Sequence, residues 1–172
     1  MKQVLEKLTS YSVYLNGSDF LGTADVQLPS LEYLTETVKG AGIAGEVDSP
    51  TIGHFGSMTA TLNWRAVDPA AVKLAAPVSH ALDFRGSMQV YDAGAGGYKS
   101  VGVKVSVRAI PKKYDIGKFD IGATTDSSNE FEVTYVKIVI DNKTVVEVDK
   151  FNYICIIDGT DYLAAVRENL GM

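Results

Sequence analysis

Side chains able to do chemistry are few in this chain, and they do not converge. There are two histidines, His54 and His80, and one cysteine, Cys155. A zinc site draws on several ligands at recognisable spacing, and nothing pairs with any of the three. His80 falls on the apolar side of an alternating segment and His54 sits in a glycine-rich stretch, so both read as structural or solvent-exposed. Cys155 lies between Ile154 and Ile156, the setting of a buried thiol. No serine occupies a G-x-S-x-G elbow, and the acids are scattered, with no pair placed as general acid and base. Gly40-x-Gly42-x-x-Gly45 matches the dinucleotide fingerprint. That chemistry needs a helix N-terminus directly after the glycines, and Glu46-Val47-Asp48-Ser49-Pro50 cannot supply one. The glycines read instead as a mobile loop that lets another backbone approach closely. The expectation is no enzyme, no metal and no cofactor.

What the chain has in place of a site is alternation. Met58, Ala60, Leu62 and Trp64 alternate with Ser57, Thr59, Thr61, Asn63 and Arg65. Leu82, Phe84, Met88 and Val90 alternate with Asp83, Arg85, Ser87 and Gln89. Val101, Val103, Val105 and Val107 alternate with Ser100, Lys104, Ser106 and Arg108. A period of two marks half-buried strands, each with one apolar and one polar face. Further strands are expected at Tyr11 to Leu15, Phe20 to Leu28, Leu31 to Lys39, Phe131 to Ile140, Val145 to Lys150 and Ile154 to Ile157. Asn16-Gly17-Ser18, Asp92 to Gly97 and Asp141-Asn142-Lys143 are the turns between them. One internal helix is expected from Asp68-Pro69 through Ala76, stopped by Pro77. Gly40 to Phe55 and Pro111 to Asn129 read as long loops, which in a compact domain are functional or order against a partner.

The C-terminal block reads as strand, Asp158-Gly159 turn and helix. Thr160 is the expected N-cap, with Asp161 in the first turn, and Gly171 is the C-terminal glycine. A helix this short is marginal alone in water, so it must dock.

Composition narrows the class. The 172 residues carry a net charge of −5, 46% hydrophobic and 22% charged residues. One domain over residues 1–172 is expected, able to bury roughly 70% of its unfolded surface without a disulfide or metal. The acidic balance argues against nucleic acid as the main ligand. No apolar run approaches the roughly 18–20 residues of a membrane helix, and none has signal-peptide length. With no secretory logic, a cytosolic protein is expected and the sequons at Asn16 and Asn142 are chance matches. The long strands would leave open edges, templates for pairing with another chain. A monomer could close a barrel on itself, or copies could join sheets into a larger one.

Fragments in order then resemble one family: Tyr14-Leu15-Asn16 with Phe20-Leu21-Gly22; Leu28-Pro29-x-Leu31; Val38-Lys39-Gly40-x-Gly42-Ile43-x-Gly45-x-Val47; Phe84-x-Gly86-Ser87-x-Gln89. Ile140-Asp141-Asn142, Glu147-Val148-Asp149 and Asn152 follow, and Asp158-Gly159-x-Asp161-x-Leu163-Ala164 with Arg167, Leu170 and Gly171 closes the set. Together they resemble the major tail tube proteins of contractile-tailed, P2-like phages and of R-type bacteriocins.

The resemblance implies a mainly β fold, a β-sandwich or barrel subunit with one or two short helices, whose sheets join edge to edge into a hexameric ring barrel. Rings would stack into a hollow tube in the virion tail or bacteriocin particle, assembled in the bacterial cytoplasm. Partners would be other copies of the chain, the sheath protein, baseplate and tail-terminator proteins, and double-stranded DNA passing without sequence-specific binding; no membrane anchor is implied. Thr59, Thr61, Asn63, Asp83, Arg85, Ser87, Lys104 and Ser106 would face the lumen, with acids such as Glu32 and Glu36 balancing the cations. Gly40, Gly42, Gly45, Asp48 and His54 would form an inter-ring loop. The other readings are the tube of a type VI secretion or other contractile injection system, and a monomeric β-barrel that binds a small apolar ligand.

Overall fold

The computed structural model describes residues 2–22 and 25–172. Twelve strands and two short helices run in the order β1 (Gln3–Leu15), β2 (Asp19–Leu21), β3 (Asp25–Gln27), β4 (Tyr33–Lys39), β5 (Glu46–Phe55) and β6 (Thr59–Trp64), then α1 (Pro69–Leu74). β7 (His80–Asp92), β8 (Gly97–Asp115), β9 (Ser127–Ile140), β10 (Lys143–Asp149), β11 (Ile154–Ile157), β12 (Thr160–Asp161) and α2 (Ala164–Leu170) follow. The main sheet runs β12-β11-β10-β9-β8-β7-β1-β2, all neighbours antiparallel, and β6 branches from β9 to carry β3. The β4–β5 hairpin forms a separate two-stranded arm.

Alternation dictates the core. Met58, just before β6, and Ala60, Leu62 and Trp64 of β6 join Leu82 and Phe84 of β7, Val105 and Val107 of β8, and Phe131 and Val133 of β9 in one buried cluster. β9 pairs with β8 along its length, with β6 through its first half and with β10 through its second. Ala109 pairs with Val133 and Arg108 with Tyr135, so Thr134 is an extra residue. A bulge of this kind inverts the parity of everything after it. Buried positions accordingly pass from Ser127, Asn129, Phe131 and Val133 to Val136. The N-terminal strand is longer than expected. It starts at Gln3 and absorbs two further irregularities, between Leu5 and Lys7 and between Leu8 and Ser10.

Turns follow their residues. Asp141 and Asn142 both adopt positive φ, as the mirror-image turn of a two-residue hairpin requires. Asp92 accepts from the backbone N–H of Gly94 and Ala95 at 2.9 and 3.2 Å. Those two donors hold its carboxyl below the usual aspartate value. Asp68 caps α1 by accepting from the Ala70 N–H at 2.8 Å, with Pro69 in the first turn. Asn129 fixes α1 from below: it accepts from Trp64 Nε1 at 2.8 Å and donates to the Ala71 carbonyl at 3.1 Å, all three residues buried.

Four expectations need correction, the first being the loop over Pro111 to Asn129, where β8 runs on to Asp115 and β9 starts at Ser127. Gly40 to Phe55 is not an irregular loop, because Glu46–Phe55 pairs with Tyr33–Lys39 from Lys39↔Glu46 to Tyr33↔Phe55. The strand expected over residues 20–28 breaks into β2 and β3; Thr23 and Ala24 lie outside the described residues. Thr160 is not the N-cap of α2. It belongs to β12, paired with Ile157, and the helix begins after Leu163 with no side-chain cap. Asp161 anchors the helix instead, accepting from Leu163 N–H at 3.1 Å and from Arg167 Nη2 at 2.5 Å, while Arg167 Nη1 donates to the Tyr153 carbonyl. Gly171 does end the helix, at φ 72°.

Two stability predictions arise. Asn129→Ala leaves the buried Trp64 N–H unpaired and should cost about 1–3 kcal/mol, read as a lower urea midpoint at a concentration where the chain does not assemble; an unchanged midpoint would refute it. The Arg167 hydrogen bond lowers the Asp161 pKa below its ordinary 3.8. A depressed folded-state value means the carboxylate stabilises the fold above 3.8 and loses that contribution as pH falls through the lower folded value. Amide exchange in α2 should therefore accelerate below about pH 4, and Asp161→Asn should abolish that acid-dependent step.

Candidate assembly surfaces

The pairings place the expected polar residues on the side of the sheet away from the core. Asp83 lies opposite Ser106, Arg85 opposite Lys104 and Ser87 opposite Gly102. On β6, Thr59, Thr61 and Asn63 lie opposite Glu132, Glu130 and Ser128 of β9. Backbone pairing and alternation thus bring all eight onto one face.

That face is tied by ion pairs. Asp83 meets Arg85 Nη2 at 3.4 Å and Lys104 Nζ at 3.5 Å. Arg85 also donates to the Gly17 carbonyl at 2.9 Å and lies 4.2 Å above the Tyr14 ring. Asp83 is thus a hub that separates two cations placed directly across strands. Lys112 reaches Glu130 at 3.5 Å and Glu132 at 3.7 Å, and donates to Thr59 Oγ1 at 3.3 Å. Ser57 Oγ donates to Glu132 at 2.6 Å, and Lys150 approaches the same carboxylate at 3.9 Å. Asn63 bonds to Asp25. Farther along, Arg108 lies over Tyr135, whose hydroxyl donates to Glu147 at 3.0 Å. Burial first, then that carboxylate, pushes the Tyr135 phenol up to about 12.

The acids that balance these cations are Asp83, Glu130 and Glu132. Glu36 is on the β4–β5 arm and Glu32 at its foot, where its carbonyl accepts from Gly56 N–H. Lys112 was not legible because residues 111–129 read as loop; Glu130 fell between that loop and the expected strand Phe131 to Ile140, and Glu132 lay within that strand without being singled out. β8 in fact continues to Asp115 and β9 begins at Ser127. The signal was alternation of Ser127, Asn129 and Phe131 with Ser128, Glu130 and Glu132, hidden because the buried partners include a serine and an asparagine.

The expected inter-ring residues separate. Gly40, Gly42 and Gly45 form the arm tip at φ 138°, 90° and 124°. Asp48 lies nearby in β5 and accepts from Thr37 Oγ1 at 3.0 Å. His54 is at the foot of the arm, its Nδ1 2.8 Å from the Ile52 carbonyl and its ring against Tyr153. His80 is buried, with Nε2 3.1 Å from the Ala76 carbonyl and its ring against Phe131. Burial, with Asp161 second, raises the Cys155 pKa, so the thiol is no ready nucleophile. No group of three or more potential metal ligands occurs among the described residues.

Backbone groups form the remaining surface. β1 pairs with β7 from Gln3 to Leu15, but its other side meets β2 only at Val13, Tyr14 and Leu15. From Gln3 to Ser10 no strand among the described residues pairs with that edge. A polar face, an open edge and a projecting arm are the surfaces of a subunit that assembles.

Residues 5–171 match the phage tail tube protein FII family. The chain belongs to that family. It is 31% identical to the tail tube protein of Escherichia phage P2, over 96% of this chain and 97% of that one. Against the major tail tube protein of Serratia phage KSP20 the identity is 26%, over 90% and 88%. Among solved structures, a chain of the sheath/tube terminator of an extracellular contractile injection system (PVC) superposes with a TM-score of 0.53 at 15% identity, covering 76% of this chain and 93% of that one. A chain of the sheath–tube complex of the same system gives 0.52 at 14%, over 74% and 86%. Those two likenesses carry the fold, and the sequence relatives carry the family. This tail tube protein is a structural subunit, which accords with a surface built of ion pairs and sheet edges.

The hub gives a test. Asp83→Ala leaves Arg85 facing Lys104, and like charges directly opposite destabilise a sheet. The loss should be about 1 kcal/mol at low salt. It should shrink between about 0.01 M and about 1 M salt, as the Debye length falls from ~30 to ~3 Å. A loss that does not change with salt would show that Asp83 acts by packing alone.

Proposed function

We propose that this chain builds the inner tube of a contractile tail, as hexameric rings stacked into a hollow conduit for DNA or ions. The observation that carries this reading is the open edge of β1, from Gln3 to Ser10, on a sheet whose apolar face is already covered by the chain's own core. An open edge of that length is a template for another strand, and a ring of joined sheets removes every such edge. In a closed ring the face with Thr59, Thr61, Asn63, Asp83, Arg85, Ser87, Lys104 and Ser106 lines the lumen. Arg85, Lys104 and Lys112 are held against Asp83, Glu130 and Glu132, which reduces the positive charge available to grip a phosphate backbone.

The arm tip, Gly40 to Gly45, reaches the adjacent ring, with Asp48 beside it and His54 at the hinge with the body. The sheath encloses the tube, and terminator and baseplate proteins cap its ends; the likeness to chains of sheath–tube and sheath/tube terminator assemblies supports these partners. Particles assemble in the bacterial cytoplasm, and the subunit performs no catalysis.

Electron microscopy of the concentrated protein at several salt concentrations tests the reading. Rings and tubes are expected; a strictly monomeric species throughout would sink it. Gly42→Val with Gly45→Val places β-branched side chains at positive φ, which they adopt only under strain. This pair should shorten tubes while leaving the thermal midpoint nearly unchanged. Tubes of undiminished length would show that the arm tip makes no inter-ring contact.

A further inference from the structure

The loop joining β8 to β9, residues 116–126, is ordered yet displays its largest apolar side chains to water. Gly117 N–H donates to Asp115 Oδ1 at 2.9 Å, Lys118 N–H to the Thr125 carbonyl at 3.0 Å, and Thr125 N–H to the Arg65 carbonyl at 2.9 Å. Thr124 Oγ1 donates to Asp126 at 2.6 Å. Gly117 is obligatory here: its φ is 89° and a Cβ would lie 1.9 Å from the Thr125 carbonyl oxygen. On this braced turn Phe119 is 90% exposed and Ile121 fully exposed at 104%. Singly exposed apolar residues are ordinary, but two held out on a tied-down loop form a knob set in advance for a partner.

The same chain carries an apolar groove of about 290 Å³, with Leu8, Val26, Leu28, Phe84, Met88 and Val103 in its walls. Leu8 and Leu28 are exposed there. The knob does not fill its own groove. Phe119 and Ile121 stand out in solvent on their braced turn while Leu8 and Leu28 of the groove stay exposed, so knob and groove are both unfilled within one chain.

We infer that Phe119 and Ile121 of one copy insert into the Leu8–Met88–Val103 groove of a second copy in the adjacent ring, an inference that rests on the stacked-ring reading above. Knob and groove are different surfaces of one chain, so the contact is heterologous and propagates instead of closing. The area argument fixes when it forms. A buried phenyl contributes about 150–250 Å², far below the ~1,200 Å² of a stable specific pair. One knob cannot hold two monomers together, whereas a whole ring of knobs engages at once. Rings therefore form first and stack second.

Two experiments test this. Phe119→Ser with Ile121→Ser should leave rings intact while mean tube length falls at least about tenfold, the scale of losing a buried aromatic anchor. Independently, Asp120→Cys with Gln27→Cys keeps the knob, leaves the β1 edge intact and places thiols beside knob and groove. Copper–phenanthroline oxidation of assembled tubes should give a ladder of covalent multimers, and each single variant should give none beyond dimer. Tubes of full length from the serine variant, or tubes of the cysteine pair without a ladder, would overturn the contact and leave the ring reading standing. Full-length serine-variant tubes that fail to seat the sheath protein would assign the knob to the sheath and overturn it equally. Wild-type protein that forms no rings would remove the stacked-ring reading and this contact with it.

Discussion

Strand β9 has to serve three neighbours, and the remaining surfaces depend on how it does so. β8 takes one of its edges, while β6 and β10 share the other in succession. A straight strand with strict alternation would send its two halves to the same pair of faces, whatever its partners. Inserting Thr134 inverts the parity at the point where β6 ends and β10 begins. Phe131 and Val133 before it, and Val136 after it, all reach one core. The same insertion keeps Glu130 and Glu132 on the polar face with Tyr135. One extra residue thus determines both what is buried and what faces outward.

With the apolar face occupied by the chain's own core, the opposite face is free to carry charge, and its charges are organised in small closed sets. Asp83 serves Arg85 and Lys104; Glu130 and Glu132 serve Lys112. Surface pairs of this kind contribute little stability individually. Their larger effect is on the field above the sheet, because Arg85, Lys104 and Lys112 each have a carboxylate within 4 Å, which weakens the potential they extend into solvent. Such a face differs from the open basic groove that binds single-stranded nucleic acid through aromatics and unpaired cations.

Much of this was legible in the sequence where alternation was unbroken. β6, the central part of β7 and the stretch of β8 from Ser100 to Arg108 read directly, as did Asp68-Pro69 at the start of α1 and the Asp141-Asn142 turn. Each rests on a local rule with a single period. The losses occurred where an extra residue interrupts that period. In β1, Val4, Leu5 and Leu8 show no alternation because irregularities fall beside Glu6 and Thr9. In β8 the extra Lys112 falls beside Pro111, so the strand seemed to stop there. β5 was hidden differently: both faces of the arm are largely exposed, and nothing in the sequence needs to separate buried from solvated positions. Parity puts the eight polar residues on one side of their strands, but it did not supply Lys112 and Glu130, which lay beyond the expected strand ends, or Glu132, which lay within an expected strand whose polar side was not singled out. The distance between His54 and the glycine tip follows from the hairpin pairing, which a loop reading cannot contain.

The irregularities in β1 bear on how an open edge can be safe before assembly. A flat, regular edge pairs with any available strand, which is how sheets aggregate. β1 is not regular: bulges twist an edge and break its hydrogen-bond register, and Glu6 and Lys7 put charge beside the first of them. A generic strand laid along Gln3–Ser10 would therefore meet mismatched donors and acceptors at two places. Only a partner edge with compensating geometry could satisfy the whole length, and a second copy of the same chain presents one fixed edge every time. The features that obscured β1 in the sequence thus make promiscuous pairing costly, while leaving the backbone groups exposed for the partner that fits.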